Sequence, residues 1–227
     1  ILDLAKKQQV KAILQTGDFW DTPNPPLDFA SEVIHQWTGV DVFNLLKESD
    51  KANPNPLIKA DYIPLIGVVG NHELYGNNIS TLDKTITGFM NKLGLMKIVS
   101  KSKPVYFTTE DGLKVAITGT NYHIDIDRPE YVSDYIVNKK LGDIHIHIVH
   151  GMLSDKNMGK YIKHTLIDSI KATKADLTIS GHDHIGFPLT QIDNKYFINP
   201  GSVVRLSNDL KEINRRPKVL LIEVCKK

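Results

Sequence analysis

Gly17-Asp18-Phe19-Trp20-Asp21 closes the apolar run Ala12-Ile13-Leu14. A short buried strand that ends there delivers two carboxylates into a loop. Three later segments repeat the design. Leu65-Ile66-Gly67-Val68-Val69 runs into Gly70-Asn71-His72-Glu73, Ile144 to Val149 into His150-Gly151, and Asp176 to Ile179 into Gly181-His182-Asp183-His184. Each run ends in a side chain able to bind a metal, with glycine beside it. In open α/β sheets the carboxyl ends of strands line the ligand crevice. Four such ends carrying Asp, Asn and His predict one shared polar site.

Outward from these ends, residues 1–10 read as an amphipathic helix and 12–16 as the first strand. Thr22-Pro23-Asn24-Pro25-Pro26 is a loop that neither a helix nor a central strand tolerates. A helix is predicted over 28–46, with Phe29, Val33, Ile34 and Trp37 at helical spacing and Gly39 as an interruption. A second Pro-rich loop covers 51–56, and a strand covers 63–69. Ser80 or Thr81 is placed as the cap of a helix that buries Leu82, Ile86, Phe89, Met90 and Leu93 and ends at Gly94. Residues 104–109 and 114–119 read as a hairpin around Glu110-Asp111-Gly112. Helices are predicted over 131–140 and 161–173, two short strands around Asp193-Asn194, and a last strand over 219–224. Strands alternate with helices early and pair as hairpins late. That order implies α/β layers with a mixed sheet or two stacked sheets, in one domain spanning 1–227.

Composition sets broad bounds. The 227 residues are 41% hydrophobic and 24% charged, ordinary for a soluble globular protein. A formal net charge of +2 neither demands nor forbids nucleic-acid binding, because local patches matter more than totals. Cys225 is the single cysteine, so no intramolecular disulfide can form, which fits a reducing, cytoplasmic setting. No apolar run reaches the ~18 residues of a membrane span, and no signal peptide is visible.

Asp18, Asn71, His150, His182 and His184 together offer carboxylate, amide oxygen and imidazole, with no thiolate. Such an N/O set suits a catalytic ion rather than a structural zinc. Singly, each residue has a plainer explanation. A histidine at a strand end is ordinarily structural, an Asn after Gly is ordinarily a turn residue, and an Asp after Gly can cap a helix. Four independent strand ends with metal-competent residues make coincidence a poor account. His145 and His147 share one strand face as packed or solvated residues, and His35 falls on a helix surface; His123 and His164 lie in loops that could approach the site.

The motifs GDFWD, GNHE, a lone VHG and GHDH stand in the order of the calcineurin-like metallophosphoesterase superfamily, and the resemblance spans residues 12–206. Within it, GDFWDTPNPP, the turn Ile198-Asn199-Pro200-Gly201-Ser202-Val203-Val204-Arg205 and the later Arg216-Pro217-Lys218-Val219 resemble the SbcD branch of DNA exonuclease subunits and its phage-borne relatives. Smaller phosphodiesterases share the NPGS turn. The resemblance implies a four-layer α/β/β/α sandwich with mixed sheets and a phosphodiester hydrolase that uses two divalent ions. Manganese comes first among those ions, with magnesium, iron or zinc as alternatives. It implies that Asp18 bridges both ions, that Asn71, His150 and His182 complete one site, and that His184 belongs to the other. His72 would protonate the leaving oxygen, Asp21 would orient His72, and Glu73 would brace the loop. A hydroxide activated by both ions would attack in line. DNA is the implied substrate, with a separate ATPase subunit of SbcC type, a homodimer as a further possibility, and no membrane partner. The chain itself has no GxxxxGK(S/T) for ATP.

The superfamily also opens with a D-x-H motif a few dozen residues before GDxxD, and no counterpart precedes Gly17. Asp143-Ile144-His145 has the letters but starts a strand, out of reach of the site. The first strand and its D-x-H are expected to lie outside this sequence, which leaves the His184 ion only Asp18 and His184 and makes that site weak. Two other functions compete: a phosphatase or small-substrate phosphodiesterase, and a scaffold that has lost catalysis. A DNA enzyme needs a basic rim, for which Lys101, Lys103, Lys156, Lys160, Lys163, Arg205, Arg215 and Arg216 are the candidates.

Overall fold

The computed structural model describes residues 1–41 and 62–226. The predicted loop at 51–56 and the far end of the predicted 28–46 helix lie outside the described residues. Three strands, β1 (Ile13–Gln15), β2 (Leu65–Gly67) and β3 (Met96–Ile98), pair in parallel, in that order. Next along the chain come β4 (Val105–Thr108), β5 (Lys114–Thr120) and β6 (Ile144–Val149). A two-stranded parallel ribbon, β7 (Leu153–Ser154) with β8 (Thr165–Leu166), stands apart. Finally β9 (Leu177–Ser180), β10 (Phe187–Ile192) and β11 (Lys195–Asn199) complete a second, six-stranded sheet of order β10-β11-β9-β6-β5-β4. Its four central strands are parallel, and the two edge strands are antiparallel to their neighbours. The predicted hairpins appear as β4–β5 and β10–β11.

The two sheets stack on one apolar seam. Ile66, Val68 and Val99 on the first side meet Val115, Ile117, Ile146, Ile148, Ile179 and Ile198 on the second. The two-residue period of β6 sorts its side chains. Ile146 and Ile148 enter this seam, while His145 and His147 face the other way and are fully buried. They are packed, not solvated. His145 Nδ1 accepts from Leu141 N–H at 3.4 Å, and its Nε2 lies 2.9 Å from the Thr118 hydroxyl. That hydroxyl lies 2.8 Å from His147 Nδ1, and His147 Nε2–H donates to the Asp134 carbonyl at 3.1 Å. The chain of donors runs in one direction with both imidazoles neutral. Burial drives the His147 pKa down to about 3.

Helices cover the outer face of the first sheet. These are α2 (Leu27–Thr38) and α3 (Ile86–Lys92), which bury Ala30, Ile34 and Met90 against Trp20, Leu65 and Met96; α1 (Leu2–Lys7) precedes β1. Gly39 ends α2 in the left-handed region, at φ 76°. The predicted helix over 80–94 is two elements: a 3-10 turn at Ile79–Lys84 capped by Asn78, then α3 capped by the Thr85 hydroxyl. The outer face of the second sheet carries 3-10 turns instead of the predicted helices. Pro129–Tyr135 replaces 131–140, and β8 with Ile167–Ile170 replaces 161–173. Those turns still bury Tyr135, Ile167 and Ile170. A short α4 (Leu210–Asn214) follows, and the segment 219–224 makes no ladder, although Ile222 and Val224 lean on the inter-sheet seam. The result is the mixed α/β sandwich expected.

Candidate metal centre

All the strands that carry motif residues end on the same side of the stacked sheets. β1 and β2 of the first sheet run into Asp18 and Asn71; β6 and β9 of the second run into His150 and His182. Close approach of these loops explains two of the motif glycines. A Cβ on Gly17 would collide with the His150 ring, and one on Gly70 would collide with the Asp18 carboxylate. The Gln15 side chain spans the β1 turn. Its Nε2 donates to Gly17 O at 2.8 Å, and its Oε1 accepts from Gly17 N–H. Asp18 itself has φ 56°, unusual for a residue with a side chain.

Glu73 holds that conformation from below. It is fully buried, accepts from Asp18 N–H at 3.1 Å and Gly70 N–H at 2.7 Å, and takes the Thr87 hydroxyl at 3.0 Å. The same carboxylate therefore ties the first motif to the second. Asp18 Oδ1 accepts from His72 N–H at 3.0 Å, which leaves Oδ2 directed at His150. Burial works to raise the Asp18 pKa, yet the carboxyl stays below its ordinary value, with the hydrogen bond from His72 N–H among the causes.

His150 sits at the middle. Its Nδ1–H donates to the Thr16 carbonyl at 2.7 Å, which fixes the tautomer and turns the Nε2 lone pair inward. Nε2 lies 3.1 Å from Asn71 Oδ1, 3.2 Å from Asp18 Oδ2 and 3.2 Å from His182 Nδ1. With Nε2 as a lone pair, Asn71 Oδ1 and Asp18 Oδ2 face it acceptor to acceptor, an arrangement that repels unless a cation stands among them. An ion with bonds of about 2.1 Å sets neighbouring donors about 3.0–3.4 Å apart. The two-nitrogen, two-oxygen set fits a divalent metal. Burial lowers the His182 pKa, which favours the neutral imidazole that a metal would need.

His184 stands outside the clustered donors of Asp18, His150 and His182. It is half-buried, two residues beyond His182 on the same loop. Beside the cluster, His72 Nδ1 lies 3.1 Å from the Asp21 carbonyl and 3.2 Å from its carboxylate. Asp21 is largely exposed, so the pair positions an imidazole more than it stabilises the fold.

The family model for calcineurin-like phosphoesterases matches residues 1–186. The chain belongs to that family. Membership implies a hydrolase of phosphoric esters, and the family uses divalent metals. Among solved structures, the calcineurin-like phosphoesterase YfkN from Bacillus subtilis is similar at 18% identity, over 88% of this chain and 71% of that one, with a TM-score of 0.45. A second structure is similar at 12% identity, over 88% of this chain and 82% of its own, also with a TM-score of 0.45. No curated protein matches.

The phosphoesterase site also includes residues that the motifs do not flag. Tyr122 leaves β5 at the same sheet edge, and its ring stands 5.7 Å from that of His182 and 6.0 Å from that of His150. Asn121 Oδ1 accepts from Val69 N–H at 2.8 Å and so joins the two sheets just beside the site. Asn199 donates to the Asp183 carbonyl at 2.9 Å and accepts from Gly201 N–H at 2.8 Å, which pins the GHDH loop. The signal for Tyr122 was its place after a fifth strand end. His123 turns instead to Asp134 at 2.7 Å, and His164 bonds the Ile162 carbonyl at 2.7 Å within its own loop.

Proposed function

We propose that this phosphoesterase cleaves phosphodiesters of DNA, as the nuclease subunit of an SbcD-type assembly in the cytoplasm with a separate ATPase subunit of SbcC type. The observation that carries a phosphodiesterase is the convergence of Asp18, Asn71, His150 and His182 with the His72–Asp21 pair alongside. Those four residues would hold one ion, and Asp18 with His184 are the residues for a second; manganese suits this mixed oxygen and imidazole set. Bound there, divalent cations offset charge on the phosphate oxygens and make a water acidic enough to attack at neutral pH. The chain's own residues do the rest. Glu73 fixes the Asp18 carboxylate in place. His72 gives its Nδ1–H to Asp21, which leaves Nε2 to exchange a proton with the leaving oxygen.

The likeness of GDFWDTPNPP and of the 198–205 turn to the SbcD branch supports DNA as the substrate. One observation favours the small-substrate alternative. Arg215 donates to the Ser202 carbonyl and to Val204 O at 2.9 Å, and Arg205 donates to Glu212 O at 3.0 Å and Arg215 O at 2.8 Å. These two arginines stitch the 202–215 loop together, so they are not free to track a phosphate backbone. A manganese-dependent assay on linear DNA, run beside bis(4-nitrophenyl) phosphate, separates the two. Release of nucleotides from DNA is expected; hydrolysis of the small diester with DNA left intact would hand the site to the alternative.

A further inference from the structure

A hollow of about 430 Å³ opens directly beside the His72–Asp21 pair. Its walls are aromatic and proline rings: Phe19, Trp20 and Phe29 with Pro25 and Pro26, and Asp21 lies on its edge. The volume is in the range of small-ligand sites, about 300–1,000 Å³. Trp20 is buried, and its ring meets Phe19 edge-on at 4.9 Å and Phe29 at 6.2 Å. Phe29 sits on α2 yet is 56% exposed, although a helix normally turns such a ring inward. The Trp20 indole Nε1–H is buried and has no acceptor among the described residues, which is rare for a native donor. The two prolines fix the backbone of the wall, so little freedom is lost when a flat group enters.

We propose that this hollow is a ring-binding subsite that seats the aromatic part of the leaving group. In a nucleic acid that part is the nucleobase borne by the leaving sugar, and in a synthetic diester it is an aryl group. The proposal rests on the phosphodiesterase function above. Asp21 belongs both to the hollow and to the pair with His72, so a ring held there brings the leaving oxygen, bonded to it directly in an aryl diester and through the sugar in a nucleotide, toward the imidazole that protonates it. The aromatic walls discriminate against leaving groups that carry no aromatic ring. Stacking a base on an aromatic side chain accounts for roughly 5- to 160-fold in affinity.

Trp20 and Trp37 are the chain's two tryptophans, and Phe19 touches both, so intrinsic emission reports the hollow directly. Thymidine, phenyl phosphate and ribose 5-phosphate are titrated against the intact protein and against Phe29→Ala, a change at an exposed position outside the metal cluster. Thymidine is expected to alter the emission saturably and to bind at least about five-fold more weakly to the variant, with ribose 5-phosphate silent in both. Thymidine binding more tightly than phenyl phosphate assigns the hollow to nucleobases; equal binding assigns it to any aryl group. In turnover, Phe29→Ala should raise KM for bis(4-nitrophenyl) phosphate by a similar factor and leave kcat within about two-fold. Thymidine binding that is absent at millimolar concentration, or unchanged by the substitution, overturns the subsite. Should Phe29→Ala instead change the oligomeric state in light scattering with thymidine binding intact, the hollow is a protein interface and the proposal fails. If thymidine binds as expected but the unaltered protein hydrolyses neither DNA nor the small diester, the phosphodiesterase function falls and the subsite stands.

Discussion

His150 Nδ1 and the carbonyl oxygen of Thr16 stand 2.7 Å apart, although 134 positions of sequence separate them. The bond joins the exit of a strand in one sheet to the exit of a strand in the other. It also decides which imidazole nitrogen is left for a metal. Gly17 permits it, because the His150 ring occupies the space a side chain there would need.

Gly17→Ala is therefore expected to damage the fold and the site together. The backbone at φ 96° disfavours alanine, at a cost of order 1–3 kcal/mol, and the methyl group also displaces His150. Urea unfolding of the metal-free protein should show the loss, and elemental analysis should show reduced metal. A variant with unchanged midpoint and metal content would mean that the two loops are farther apart than described.

His72→Asn should cut turnover by about 10²–10⁴-fold while metal content stays near that of the unaltered protein. The substitution keeps a polar side chain beside Asp21 but removes the titrating imidazole. A parallel fall in bound metal would make His72 a ligand and displace it from the proton-transfer role.

Thr118→Val preserves shape but deletes the hydroxyl between His145 Nε2 and His147 Nδ1. Both nitrogens lose a partner inside the protein, and a buried polar group left unpaired costs about 1–3 kcal/mol. The variant should unfold at clearly lower urea despite its added apolar surface. An unchanged midpoint would show that the hydroxyl is not what joins the two rings.

Acid should also weaken the fold through His147. Its folded pKa is about 3, against the ordinary value near 6.5 for an unfolded chain. Between those values the unfolded chain binds more protons than the native one. Stability therefore falls as pH drops from about 6.5 toward 3, by up to about 1.4 kcal/mol per pH unit. Urea midpoints between pH 7 and 4.5 should slope less steeply in His147→Gln, with His145 as a remaining contributor because burial lowers its pKa too. Identical slopes in the two proteins would place the acid sensitivity elsewhere.

The strand-end residues were legible because each needs only a short apolar run, a glycine and a polar tip. Those three features survive in sequence whatever the surrounding fold. The outer layer was not legible. Ile162, Leu166, Ile167 and Ile170 fall at helical spacing, yet Ile162 is exposed and the segment divides into β8 and a 3-10 turn. A 3-10 turn also brings i and i+3 together, so Ile167 and Ile170 can be buried without an α-helix. Thr85 hid as a cap because it lies inside the apolar stripe, between Leu82 and Ile86. Phe29 matched the inward spacing of α2 but is exposed, because the ring hangs over a hollow rather than over the sheet. Tyr122 carried no motif, and only the shared edge of β5, β6 and β9 brings it to His150 and His182.

Two of the four donors come from each sheet, which gives a bound ion a second office. It becomes a cross-link, tying positions 18 and 71 to positions 150 and 182 in a chain whose lone Cys225 can close no disulfide. An ion that binds only the folded chain adds about 2.7 kcal/mol of stability at a concentration 100 times its dissociation constant. Chelation would then slacken the joint between the sheets before it melted either one. Backbone amides at the exits of β1 and β6 would exchange with solvent sooner than those in the middle of β5.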